Sequence, residues 1–147
     1  MKDRFTDLGL MWLRVLVGLA LMYHGWLKVI HGVGPFSEGI AKMGSPFDYA
    51  PLAFAWLSTL AELLGGFFLV LGLWTRYAAL VLIINLCVAA FVRNGSNPII
   101  DPSTTATMEL PLIYLTIVGA VFIMGPGRFS VDGSRGGKHS APKKTKK

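Results

Sequence analysis

Cysteine occurs once in the 147-residue chain, at Cys87. One thiol makes no intrachain disulfide, no Cys-x-x-Cys redox pair and no thiolate cluster for zinc or iron–sulfur. Charge is scarce too: 15% of residues are Asp, Glu, Lys or Arg, against roughly 25% in a soluble domain. Acidic residues are missing altogether from 133–147, which hold six basic ones, Arg135, Lys138, Lys143, Lys144, Lys146 and Lys147. The formal charge of +6 is therefore that of the tail, because residues 1–132 carry eight basic and eight acidic side chains. A pI near 9.7 then gives no sign of a nucleic-acid-binding fold. The tail also lacks the interleaved aromatics on which bases stack, so no nucleic-acid partner is expected.

What the chain has in abundance is apolar sequence, with 53% hydrophobic residues and a mean hydropathy of +0.56. Four stretches are long enough to be read as membrane spans: 8–30, 51–73, 77–92 and 108–124. At 1.5 Å per residue, the first of these crosses a ~30 Å hydrocarbon core. It follows a short charged start and lacks a small-residue cleavage site, so it reads as an uncleaved helix rather than a signal peptide. The second begins at Pro51, a good first helical residue, and ends in Gly72-Leu73-Trp74-Thr75-Arg76, a turn that makes a hairpin with the third. The fourth stops at Gly125-Pro126-Gly127, where a helix cannot continue. Within 31–50, the segment Pro35 to Met43 places Phe36, Ile40 and Met43 at helical spacing, which predicts a short amphipathic helix on the membrane surface.

The fold expected is thus all-α: a polytopic, antiparallel four-transmembrane-helix bundle over residues 1–132, with an amphipathic outer-surface helix and a disordered basic tail over 133–147. Four crossings bring both termini to one side, where Lys2, Arg4, Arg76, Arg128 and the tail also fall; Lys28, Lys42 and Arg93 lie on the other. The positive-inside rule makes the first side cytoplasmic. Trp26, Tyr49 and Trp56 then belong to the outer aromatic belt, and Trp12, Trp74 and Tyr77 to the inner one.

A charge at mid-membrane costs at least ~2.5 to 3.5 kcal/mol, so each one needs a partner or a use. Counting from the helix ends puts Glu62 near the midplane and Arg14 about 6 Å to its cytoplasmic side, which predicts an intramembrane Arg14–Glu62 ion pair, either a structural clamp or a proton-handling site. The same counting brings His24, Lys28, Arg93 and Glu109 to the outer third, where they could line one polar pocket or simply snorkel. Asn85 and Tyr114 are supporting candidates for hydrogen bonds across the bundle. No metal site is expected, since His31 is seven residues from His24 and His139 lies in the tail. Gly18 and Gly25, and Gly65 and Gly72, recur seven apart as small residues that let helices approach.

Three pieces resemble the DoxX family of small four-helix bacterial membrane proteins: LRVLVGLALMYHGWLKV (13–29), AELLGGFFLVLGLWTRYAA (61–79) and ELPLIYLTIVGAVFIMGPGRFSVD (109–132). The resemblance spans about residues 8 to 132, with Arg14, Gly18, His24, Gly25, Lys28, Glu62, Gly72, Arg76, Glu109, Gly125, Gly127, Arg128 and Asp132 on its recurrent positions. It implies an oxidoreductase connection: a membrane subunit of a thiosulfate:quinone oxidoreductase in one branch, an anchor for redox enzymes in another. A quinone is the cofactor this suggests, with the lipid bilayer and redox enzymes as partners. The chain has no flavin, haem or dithiol motif of its own, so no metal or haem is expected.

Two other functions compete with the redox-subunit reading. One is a proton-coupled carrier built on Glu62, working as a homo-oligomer; a depth-matched Arg14 argues against it by neutralising the carboxylate. The other is a non-catalytic membrane scaffold that docks partners through the amphipathic helix.

Overall fold

Where backbone amides have no water to bond, a chain must satisfy them within its own segment, and long apolar runs therefore wind into helices. The computed structural model describes residues 2–94, 99 and 108–136, and among these every regular element is helical. In chain order they are α1 (Lys2–Ile30), α2 (Val33–Ala41), a 3-10 turn (Phe47–Tyr49), α3 (Pro51–Leu71), α4 (Thr75–Cys87) with a π-wound continuation (Val88–Arg93), α5 (Glu109–Met124) and α6 (Val131–Gly136). The stretch Arg4–Ile30 of α1, the whole of α3, and α4 carried through Arg93 are each long and apolar enough to cross a membrane; α5 is equally apolar but spans 16 residues. Large apolar side chains stay exposed along these helices, among them Leu16, Leu19, Leu60, Leu64, Phe67, Leu80 and Ile113. An outward-facing surface of this kind suits hydrocarbon and not water.

The helices α1, α3, α4 and α5 pack in a ring, each against the next and α5 against α1. We call the end where α1 begins, α3 meets α4 and α5 stops the basal end. The main core, with Val17, Leu21, Leu69, Ala79, Leu82, Val118 and Val121, fills the basal half. At the distal end α2 lays Val33 and Ile40 against Ala55, with Phe36, Met43, Phe47 and Phe54 around them. The amphipathic segment is thus seated on α3 by its apolar face, two residues earlier in the chain than the expected Pro35 start.

Glycines set the α1–α3 register. A Cβ on Gly18 would meet the Gly66 carbonyl at 2.7 Å, one on Gly66 would meet the Gly18 carbonyl at 2.6 Å, and one on Gly25 would meet the Thr59 carbonyl at 3.1 Å. As numbers rise along α1 they fall along α3, so the two run in opposite directions with backbones in direct contact. Gly66 completes this seam, and Gly65 faces Leu82 of α4. Gly72 does something different. It ends α3 in the left-handed region (φ 65°), where a side chain on the first residue past the helix is least tolerated.

The basal end is closed by the segment after α5. The Asp132 carboxylate accepts from the Trp74 and Thr75 amides (3.0 and 2.9 Å) and from the Thr75 hydroxyl (3.0 Å), while its own amide donates to the Gly72 carbonyl. Trp74, at the N-cap position of α4, makes no capping bond with its side chain, so a carboxylate from 57 residues away supplies the cap. Asp7 does likewise for the Arg128 amide at 3.1 Å. Asp132→Ala should therefore lower stability by about 0.5–2 kcal/mol, the usual cost of losing a helix cap, with Asp132→Asn losing less; thermal unfolding in detergent measures both.

The boundary expected at residue 132 falls inside α6, and residues 137–147 of the predicted basic tail lie outside the described residues, as does most of the loop 95–107.

Candidate functional site: a polar-floored cavity in the distal half

Basal packing is tight, but the distal halves of α1, α3, α4 and α5 leave a cavity of about 730 Å³ between them, roofed by α2. That size falls within the range of small-molecule sites, ~300–1,000 Å³. Its wall is mainly apolar, with Leu21, Leu27, Phe36, Ile40, Phe54 and Leu86 among the lining side chains. Leu57, Val81, Ile84 and Leu110 line it as well and are exposed, so the rim is as apolar as the wall.

The floor is polar. Lys28 Nζ of α1 donates to Glu62 Oε1 of α3 at 2.7 Å and to Ser58 Oγ at 3.3 Å. Asn85 Nδ2 of α4 donates to the same Glu62 oxygen at 3.2 Å, so one carboxylate ties three helices together. The Lys28 and Glu62 side chains are 18% and 9% exposed, making this an ion pair largely removed from solvent. Glu62 Oε2 is buried with no hydrogen-bond partner among the described residues; leaving such an acceptor unmatched costs about 1–3 kcal/mol or more. Across the cavity, the His24 and Tyr114 rings meet edge to face at 5.6 Å, with the phenol oxygen 3.5 Å from His24 Nε2, the outer limit of a hydrogen bond. At the mouth, the ring of Phe36 carries two cations, Lys28 Nζ 4.3 Å from its centroid and the Arg93 guanidinium 4.8 Å from it. The π-wound turn ends at Arg93; π-turns of this kind recur at functional sites.

The expected Arg14–Glu62 ion pair does not form. The glycine register places Glu62 level with Met22, eight residues from Arg14, or ~12 Å at the helix rise. Side chains also lean toward the N-terminus of their own helix. Lys28 therefore leans basally and Glu62 distally, toward each other, whereas Arg14 leans away. Arg14 is instead 1% exposed at the basal end, donating from Nη2 to the Phe129 carbonyl at 2.6 Å, with Asp132 as its charge complement.

Of the four residues expected to share an outer pocket, His24, Lys28 and Arg93 line the cavity and Glu109 does not. Leu110, Pro111 and Tyr114 turn that face of α5 toward the cavity. Glu109 points roughly 150° away from their mean direction, at 100° per residue, and is exposed in the first turn. Asn85 and Tyr114 both line the cavity. Sequence reasoning missed Ser58, although it lies one helical turn before Glu62 and so on the same face. It found Phe36 as part of an apolar stripe but not as the ring between two cations. Among the described residues no three His, Cys, Asp or Glu side chains are grouped to hold a metal.

The family model described as DoxX matches residues 9–95, more than half of the chain, from the eighth residue of α1 through the end of the π-wound turn. No curated protein and no solved structure matches the chain.

Proposed function

We propose, since this chain belongs to the DoxX family, that it is the membrane subunit of a redox system and binds a quinone-like, lipid-soluble molecule in the distal cavity. The observation that carries this reading is the cavity itself: an apolar chamber of about 730 Å³ with a buried, hydrogen-bonded ion pair in its floor. Apolar walls with a few convergent polar groups are what an amphipathic ring needs for binding and orientation. The exposed rim at Leu57, Val81 and Ile84 suits a ligand that arrives from hydrocarbon. His24 and Lys28 are among the lining groups able to donate to a ring oxygen, and Glu62 and Tyr114 lie beside them, able to accept or pass a proton.

In this reading α5 supplies a fourth antiparallel crossing, the basal end with both termini is cytoplasmic, and the cavity faces the outer leaflet of a bacterial inner membrane. A redox enzyme docked on the bundle would supply the chemistry that a single cysteine cannot. Lys28 also bears on the carrier alternative: an exchanging carboxylate must be free, and Glu62 is held by an ammonium at 2.7 Å.

Protein extracted with its native lipid is expected to carry quinone, detected by chromatography of the organic extract, and to lose most of it in an Ala89→Phe variant, which fills the cavity. Quinone-dependent reduction should follow when thiosulfate or thiol donors and the co-purifying enzyme are added. Extracts free of quinone, together with no such reduction, would remove the proposal.

A further inference from the structure

We propose that the cavity selects a ligand by its hydroxyl group: it holds a phenol-type O–H donor in preference to a carbonyl or an ether. The inference rests on the cavity-binding reading above and adds the chemistry of the head group to it. Three observations carry it. Glu62 Oε1 accepts from both Lys28 and Asn85, while Oε2 of the same buried carboxylate accepts from no described residue. The two oxygens of a glutamate move together about a soft, roughly two-fold terminal torsion, so Oε2 reaches the cavity that Glu62 lines by a turn that also loosens the Oε1 bonds to Lys28 and Asn85, and a ligand O–H offsets that loss.

The second observation is charge. Lys28 and Arg93 both face the cavity, and the only described ion pair uses Glu62 for Lys28. Among the described residues the site therefore holds one cation more than it has carboxylates, which disfavours an ammonium ligand as the missing donor and leaves a neutral O–H. The third is the number of donors and acceptors on offer. An ammonium has three protons, and Lys28 uses two of them on Ser58 and Glu62. A hydroxyl both accepts from Lys28 and donates to Glu62 Oε2, while a carbonyl does only the first and leaves the carboxylate oxygen as it is. Aromatic side chains at Phe36, Phe54 and Tyr114 complete a chamber suited to a planar ring. Applied to a quinone-like ligand, the dihydroxy form is held more tightly than the dicarbonyl form.

The test compares 4-hexylphenol with 4-hexylanisole, in which a methyl group replaces the hydroxyl hydrogen, on the purified full chain in detergent, with dissociation constants measured by titration calorimetry. A site built around an O–H rejects the analogue lacking it, so the phenol should bind about tenfold tighter or more, and Ala89→Phe should weaken both. In Glu62→Gln the amide oxygen takes Lys28 and the NH₂ faces the cavity, so the two affinities should come within about twofold of each other. Tyr114→Phe, which keeps Glu62, should retain the preference. Equal affinities in the natural sequence would overturn the hydroxyl inference and leave the cavity reading standing, and so would a preference that survives Glu62→Gln. Binding of neither compound, or binding unaffected by Ala89→Phe, would overturn both. Equal affinities in the natural sequence overturn the inference whether or not a variant folds.

Discussion

Lys28→Met is expected to lower the stability of the bundle by about 3–5 kcal/mol, the cost of leaving a buried charge without its partner. Glu62, whose side chain is 9% exposed, would keep only the Asn85 amide bond on its carboxylate. Glu62→Leu should cost a similar amount by stranding the ammonium. The double variant should recover most of the loss, since a buried ion pair replaced by apolar groups of similar volume is often neutral or stabilising. Unfolding titrations of the four proteins in mixed micelles give the coupling directly, and additive losses would show that the pair is not a unit. The same cycle on Arg14 and Glu62 should be additive to within ~0.3–0.5 kcal/mol, because residues separated by two helical turns share no partner.

The second large effect is expected at Gly72. Its backbone is in the left-handed region, where an L side chain costs about 1–2 kcal/mol. A Cβ there would also overlap the Arg14 guanidinium and stand 2.5 Å from the Ser130 side chain, and forced overpacking of this kind costs ~1–3 kcal/mol. Gly72→Ala should thus destabilise by about 2–5 kcal/mol, while Gly119→Ala on α5, with nothing within 4 Å of the new carbon, should be neutral or slightly stabilising. Adding Arg14→Ala to Gly72→Ala should relieve the overlap with the guanidinium and leave the Ser130 contact and the backbone part. Thermal unfolding of these variants in one detergent checks all three expectations, and equal losses at Gly72 and Gly119 would show that Arg14 does not occupy the turn.

Both predictions concern residues that the sequence marks for notice, yet assigns to different partners. Apolar runs interrupted by single charges make Arg14, Lys28 and Glu62 conspicuous whatever their surroundings, because each is costly in hydrocarbon. Depth along a helix can be counted, and it groups His24, Lys28, Arg93 and Glu109 at the distal end, where the first three line one cavity and Glu109 does not. Counting fails at two finer levels. It treats helix ends as flush, whereas α1 begins at Lys2, six residues before the apolar stretch, and its register against α3 is set by Gly18, Gly25 and Gly66. It also takes no account of which way side chains lean, and this is what turns Lys28 toward Glu62 and Arg14 away from it.

That the chain is helical and built for a membrane follows from its residues alone. Long apolar segments have to satisfy their backbones internally, and Pro51, Gly72 and Gly125 mark where those segments start or stop. The same residues say which side chains need an explanation, since a charge in such a segment is expensive wherever the chain goes. The pairings come from the packed bundle: Glu62 with Lys28 and Asn85, Arg14 with the Phe129 carbonyl, Asp132 with the start of α4. Composition and spacing act along one helix. The choice of partner depends on register and rotation between helices, and these are set by close backbone contacts at a few glycines.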